Sequence, residues 1–214
     1  VDALFIHYST DYVFNGTGQT PWQESDVLDP INAYGASKAA GECRIRDAGA
    51  RHLILRTQWV YATRGRNFIK TMLRLAQERD SLSVIDDQIG APTGADLIAD
   101  VTAHLVCACQ AEAGRAHSGT YHLAARGETS WHGFARRVIE TARAAGLPIR
   151  TPTQALTAVP TSAFPTPARR PNNSRLSTAR IESVFGLRLP AWEAGVDRTL
   201  SEILEPMLAA EKDK

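Results

Sequence analysis

Short apolar runs alternate with amphipathic stretches along most of this chain, and nothing else constrains its fold as tightly. Ala3–Ser9 reads as a strand, being short, apolar and followed by polar turn residues. Asn15-Gly16-Thr17-Gly18 is a turn cluster, and residues 19–31, with Pro21 and Pro30, read as a loop. Asn32 is placed to cap a helix to about Ala48, with Gly49 as the stop. His52–Thr57 is a second buried strand, and 67–79 an amphipathic helix with Phe68, Met72, Leu75 and Ala76 on one face. Residues 82–85 and 120–124 read as strands. Helices are expected from Thr93 or Asp96 through Val106, over 129–145, and over about 177–185 and 190–207. Residues 151–171 hold five of the eleven prolines and read as irregular, with a short turn around Ala155. The polar tail from Ala209 is expected to fray. Strands alternating with helices imply an α/β fold with a largely parallel sheet.

Composition excludes some partners. No apolar run approaches twenty residues, which argues against a membrane span. Basic and acidic residues balance, 24 against 23, which argues against a dedicated nucleic-acid or membrane-surface binder. An odd count of three cysteines suits reduced thiols in a cytoplasm. Cys107-Ala-Cys109 is too tight for metal spacing and is read as core packing. The six histidines show no ligand spacing, and His7 and His122 are read as hydrogen-bonded structural residues. The sequence opens at Val1 already inside an apolar run, which is expected to be an internal strand of a larger sheet.

Tyr34-Gly-Ala-Ser-Lys38 is the best chemical signal. Residues four apart share one helix face, so Tyr34 and Lys38 project together. Five tyrosines and four lysines in 214 residues give about 0.1 such pairs by chance, so alone the motif also fits a solvated helix face. Its context narrows the choice. Ser9-Thr10-Asp11-Tyr12-Val13-Phe14 lies at a strand end, where α/β folds place their chemistry, and Arg56-Thr57-Gln58-Trp59-Val60-Tyr61 ends the next strand. This ordering resembles the extended short-chain dehydrogenase/reductase superfamily.

A narrower resemblance rests on five motifs in order over about residues 9–176: Ser-Thr-Asp-Tyr-Val-Phe-Asn-Gly (9–16), Pro30-x-x-x-Tyr34-Gly-x-x-Lys38, Arg56-Thr57-x-Trp59-Val60-Tyr61, Asp87-Gln88-x-Gly90-x-Pro92-Thr93, and Arg170-Pro171-x-Asn173-Ser174-Arg175-Leu176. Together they resemble the dTDP-4-dehydrorhamnose reductase family. The resemblance implies a partial Rossmann-type, doubly wound parallel sheet with a smaller C-terminal substrate-binding lobe. Residues 1–60 would belong to the dinucleotide-binding domain, and 61–214 to its remaining elements plus the lobe. Members open with a Gly-rich turn that binds the cofactor's pyrophosphate; no G-x-G-x-x-G occurs here, and Gly16-x-Gly18 lacks the third glycine. The expectation is therefore a chain lacking that N-terminal segment and binding NADPH weakly or not at all by itself.

The implied reaction is NADPH-dependent reduction of dTDP-4-dehydro-L-rhamnose to dTDP-L-rhamnose, with NADH as the other cofactor considered. A sugar-nucleotide epimerase or dehydratase, or a non-catalytic reductase-like subunit, are the alternatives. Thr10, Tyr34 and Lys38 would be catalytic. Tyr34 would donate the proton, and Thr10 would orient the carbonyl oxygen. Bringing a phenol from about 10 to near 7 takes roughly 4 kcal/mol. An ammonium about 5 Å away supplies roughly 3 kcal/mol at an effective dielectric of about 20, so Lys38 could do most of that tuning. Ser9, Tyr34, Lys38, Arg56 and Thr57 would contact the cofactor. Asp11 and Tyr12 would touch the sugar, Trp59 offers a π face for thymine, and Arg170 and Asn173 would bind the diphosphate. Gln88, Pro92 and Thr93 would shape the pocket. A Mg²⁺ at Asp86-Asp87 or Asp96-Asp100, and a homodimer, follow from the same resemblance; for the carboxylates an exposed acidic face is the preferred reading.

Overall fold

A computed structural model describes residues 3–110 and 117–212. The elements are β1 (Phe5–Thr10), a 3-10 turn (Asp11–Val13), α1 (Ala33–Asp47), β2 (His52–Thr57), β3 (Val60–Tyr61), α2 (Phe68–Glu78), β4 (Leu82–Ile85), β5 (Ile89–Gly90) and β6 (Thr93–Gly94). They continue with α3 (Ala95–Gln110), β7 (Gly119–His122), β8 (Thr129–Ser130), α4 (Trp131–Ala144), β9 (Leu156–Val159), α5 (Ala179–Phe185) and α6 (Trp192–Lys212). The helix starts follow local chemistry. Asn32, Asn67 and Ser130 each turn a side-chain oxygen onto a first-turn backbone N–H of α1, α2 and α4.

The main sheet has the order β1-β2-β7, all parallel. Its central strand alternates between two faces. Leu53 and Leu55 pack with Ile98, Leu105, Ile181 and Phe185, which places α3 and α5 on one side. Arg56 points to the other side, where it meets Glu42 of α1. Helices therefore cover both faces, as a parallel sheet requires. A second core joins α2, α4 and α6 through Ile69, Leu73, Phe134, Val138, Val196 and Leu200.

Three sequence expectations change here. The proline-rich stretch contains β9, which pairs in parallel with β4 from Leu82↔Leu156 to Ile85↔Val159. Four residues between Pro152 and Pro160 carry too little pattern to announce a strand; the pairing with β4 creates it. Helix α6 runs through Ala209 to Lys212 with Pro206 inside it, where a frayed tail was expected. Cys109 is buried in the α3 core but Cys107 is exposed, because residues two apart on a helix lie about 200° apart. Val1, expected in an internal strand, lies outside the described residues.

Among the described residues no helix is long and apolar enough to cross a membrane. No group of three or more His, Cys, Asp or Glu side chains among them is arranged to hold a metal ion. Asp96 faces Arg198 at 3.4 Å, and Asp86 and Asp87 accept hydrogen bonds from Ser130 and Thr161.

Candidate active site

Thr10 and Thr57 are register partners at the C-terminal ends of β1 and β2. Their neighbours form the floor of a cleft of about 600 Å³. Parallel sheets leave such a crevice where the chain departs from the strand ends, and binding groups collect there. A slightly larger groove, about 650 Å³, lies along α2 and α6 and contains none of the residues singled out in the sequence.

Beyond β1 the chain tightens into the 3-10 turn. The Thr10 hydroxyl caps it, accepting from Tyr12 N at 3.2 Å and donating to Asp11 Oδ1 at 3.0 Å. Asp11 is buried. Burial pushes its carboxyl up to about 6, although hydrogen bonds from Ser174 and Thr10 favour the charged form. Tyr12 is pushed up too, by burial and by the Asp11 charge, with Arg170 opposing.

Tyr34 rises from the first turn of α1. Its ring meets Tyr12 edge to face, with centroids 5.8 Å apart, and is 56% exposed, so the phenol is open to a ligand. This approach depends on Gly35, where a Cβ would lie 2.1 Å from the Tyr12 carbonyl oxygen. Asn32 holds the same turn: its Oδ1 accepts from Gly35 N at 2.8 Å and its Nδ2 donates to the Arg169 carbonyl at 2.9 Å. One turn beyond Tyr34, the Lys38 ammonium donates to the Tyr8 carbonyl of β1.

The cleft gathers Ser9, Thr10, Asp11, Tyr12, Tyr34, Thr57, Trp59 and Arg170 from the sequence reading. Lys38 stands on its flank, tied to β1. Five other residues do not line the cleft. Arg56, expected at the cofactor, is 2% exposed; it is spent on Glu42 through Nε–Oε1 at 2.9 Å and Nη2–Oε2 at 2.7 Å. Asn173, expected at the diphosphate, is buried and donates to the carbonyls of Thr17 and Thr20 at 3.1 and 2.9 Å. Thr93 is fully buried, bonded to Ala91 O and Ala125 N, and Pro92 is buried beside it. Gln88 lies behind the cleft wall, between Trp131 and Thr161.

The histidines are also placed. His122 is buried against Arg56, 3.4 Å from its Nη1, and burial with that positive charge pushes it down to about 3. His7 has a buried Nε2 without a hydrogen-bond partner, which departs from the expectation of a bonded structural histidine.

Sequence reasoning missed Asn32, Gln58 and Trp131 in the cleft. Trp131 opens α4 and stacks on Trp59, with centroids 3.9 Å apart and planes 14° apart. That contact covers one face of Trp59, the residue expected to offer a π face to thymine. Trp59 has φ 45°, a left-handed conformation uncommon for a bulky residue, and its ring lies against Gly90. An aromatic at a helix start was the available signal for Trp131.

The arrangement offers a phenol and a buried hydroxyl in the cleft, an ammonium on its flank and an arginine at its rim. Thr57 Oγ1 and Gln58 Oε1 are buried on its floor without hydrogen-bond partners. With the Tyr34 hydroxyl and the Lys38 ammonium, that set of donors and acceptors fits the hydroxyls and amide of a nicotinamide riboside.

Comparison with known proteins gives the family. The family model described as the RmlD substrate binding domain matches residues 1–205. The dTDP-4-dehydrorhamnose reductase of Shigella flexneri is 55% identical over 205 residues, covering 95% of this chain and 67% of that protein. The reductase of Escherichia coli K12 is 54% identical over 203 residues, with the same coverage. The reductase of Bacillus anthracis strain Ames, solved in complex with NADP, superposes with a TM-score of 0.81 at 34% identity, over 92% of this chain and 65% of that one. The chain thus spans about two thirds of the length of the relatives it matches. By this match, and by the strand-end and Tyr-x-x-x-Lys geometry, the chain belongs to the dTDP-4-dehydrorhamnose reductase family.

Proposed function

We propose that this chain carries the reaction centre of a dTDP-4-dehydrorhamnose reductase. It would convert the C4 ketone of dTDP-4-dehydro-L-rhamnose to the alcohol of dTDP-L-rhamnose, a precursor for cell-surface polysaccharide. The observation that carries this reading is one cleft holding Thr10, Tyr34 and Arg170, with Lys38 on its flank.

Tyr34 donates its phenolic proton to the oxygen that becomes the alkoxide. Lys38, one helical turn away, offsets the charge left on the phenolate. The Thr10 hydroxyl turns its proton from Asp11 toward the same oxygen and orients it. Arg170, at the rim, pairs with the diphosphate by parallel N–H donors. Tyr34, Lys38 and Thr57 would hold the cofactor's riboside. NADPH, when bound, supplies the hydride to the carbonyl carbon; the NADP in the Bacillus anthracis relative supports this choice.

Residues 1–60 then form the reaction side of the dinucleotide-binding domain, and 61–214 its remaining elements with the substrate lobe. Three free cysteines support a cytoplasmic site of action. The test is incubation of the protein with dTDP-4-dehydro-L-rhamnose and millimolar NADPH, a concentration that offsets the weak cofactor binding expected of this chain. The expected result is loss of NADPH matched by dTDP-L-rhamnose on NMR. An epimerised ketone with no NADPH consumed overturns the reading.

A further inference from the structure

The two sides of the cleft differ in kind. The β1–α1 side presents Thr10, Asp11 and Tyr34, whereas the β2–α4 side presents Trp59, Val60 and Trp131. The indoles are fixed from both ends. Trp59 lies against Gly90, where a Cβ would sit 2.8 Å from Cε2. Trp131 is anchored through a one-way chain of donors. Its indole N–H donates to Gln88 Oε1 at 3.1 Å, Gln88 Nε2 donates to Thr161 Oγ1 at 3.0 Å, and the Thr161 hydroxyl donates to Asp87 at 2.5 Å. Gln88 is buried and uses both ends of its amide. Such a chain, ending on a carboxylate, polarises each bond in the same sense and leaves little freedom to the ring it holds.

Phe68 also packs against Trp131, with centroids 4.7 Å and planes 55° apart. Rings 3.9 Å apart leave no slot for a planar base between them. The pair meets the cleft as a preformed apolar wall, and the indole N–H of Trp131 is already spent on Gln88.

We propose that Trp131, positioned by Gln88 and Thr161, is a specificity-determining residue that with Trp59 packs against the C5–C6 side of a 6-deoxyhexose. The inference rests on the reductase reading. With the C4 oxygen at Thr10 and Tyr34, the ring carbons on either side are C3, which carries a hydroxyl, and C5, which carries a methyl. A wall of indole carbon suits the methyl. A 6-hydroxyl pressed there loses water and gains no partner.

A matched pair of ligands tests this: dTDP-β-L-rhamnose, which is the 6-deoxy sugar, and dTDP-β-L-mannose, which carries the 6-hydroxyl, titrated calorimetrically into the protein, with dTDP as a reference. The wild type is expected to prefer the 6-deoxy sugar by at least about tenfold. Trp131→Ala should erase the preference, and Trp131→Phe, which keeps an apolar wall, should retain it. Gln88→Leu frees the ring; it should reduce the preference several-fold and weaken the exciton couplet of the stacked indoles in far-UV circular dichroism. Should Trp131→Ala not fold, Gln88→Leu and Trp131→Phe still decide. Equal affinities in the wild type alongside dTDP binding overturn the proposal and leave the reductase reading standing, as does a preference that survives Trp131→Ala. Failure of dTDP and both sugars to bind the wild type rejects the reductase reading itself.

Discussion

Glu42 and Arg56 meet in a two-point ion pair, with side chains 0% and 2% exposed, that fastens α1 to β2. Burial alone pushes the Glu42 carboxyl up. Hydrogen bonds and charge from Arg56 outweigh this and hold it below the usual carboxylate range. Glu42 lies two turns beyond Tyr34 on the same helix, so the pair fixes where the phenol stands relative to the strand ends.

Removing one partner leaves the other buried and uncompensated. Arg56→Ala should cost roughly 3–5 kcal/mol of unfolding free energy, whereas Glu42→Leu with Arg56→Met should recover most of it. Urea titration of the three proteins checks this. Because the folded carboxyl is depressed, its contribution is present above the unfolded pKa and is lost as pH falls through the folded one. Wild type should therefore lose more stability on acidification than the double variant.

Asp11 has the opposite sign. Its carboxyl is raised from 3.8 to about 6, so the fold pays for the buried charge above that pH and is spared below 3.8. Asp11→Asn should raise stability by roughly 3 kcal/mol at pH 7.5. The gain should shrink as pH falls from 6 to 4. Thermal melts across that range would contradict the assignment if the gain stayed constant.

Tyr34→Phe removes the hydroxyl proposed as proton donor and leaves the ring that meets Tyr12. Turnover should fall by roughly 10²–10⁴, with little change in KM. Steady-state kinetics with NADPH and the keto sugar measure both.

Gly35→Ala places a methyl 2.1 Å from the Tyr12 carbonyl oxygen, a backbone atom that cannot swing aside. The start of α1 must shift, at a cost of roughly 1–3 kcal/mol. Turnover should drop well beyond what that loss of stability explains. Urea melts alongside kcat separate the two effects.

Local chemistry was legible in the sequence. Asn32 caps α1 and Asn67 caps α2 because an amide oxygen beside an amphipathic run satisfies first-turn N–H groups whatever surrounds it. The strand-end hydroxyl of Thr10 and the helix-face pair Tyr34 and Lys38 were legible for the same reason: their geometry is set within one element. The partners of Arg56, Gln88, Thr93 and Asn173 were not. A motif shows a polar side chain without showing which distant group consumes it, and here Glu42, Trp131, Ala125 and the Thr17 and Thr20 carbonyls do. Trp131 was hidden because only packing of α4 brings it to Trp59, and β9 because only β4 makes it a strand.

The Asn32 amide has two clients, Gly35 of α1 and the Arg169 carbonyl in the segment that carries Arg170. One side chain bonded to both makes their ordering a shared expense. Asn32→Ala would therefore release the turn beneath Tyr34 and the segment that carries Arg170 together.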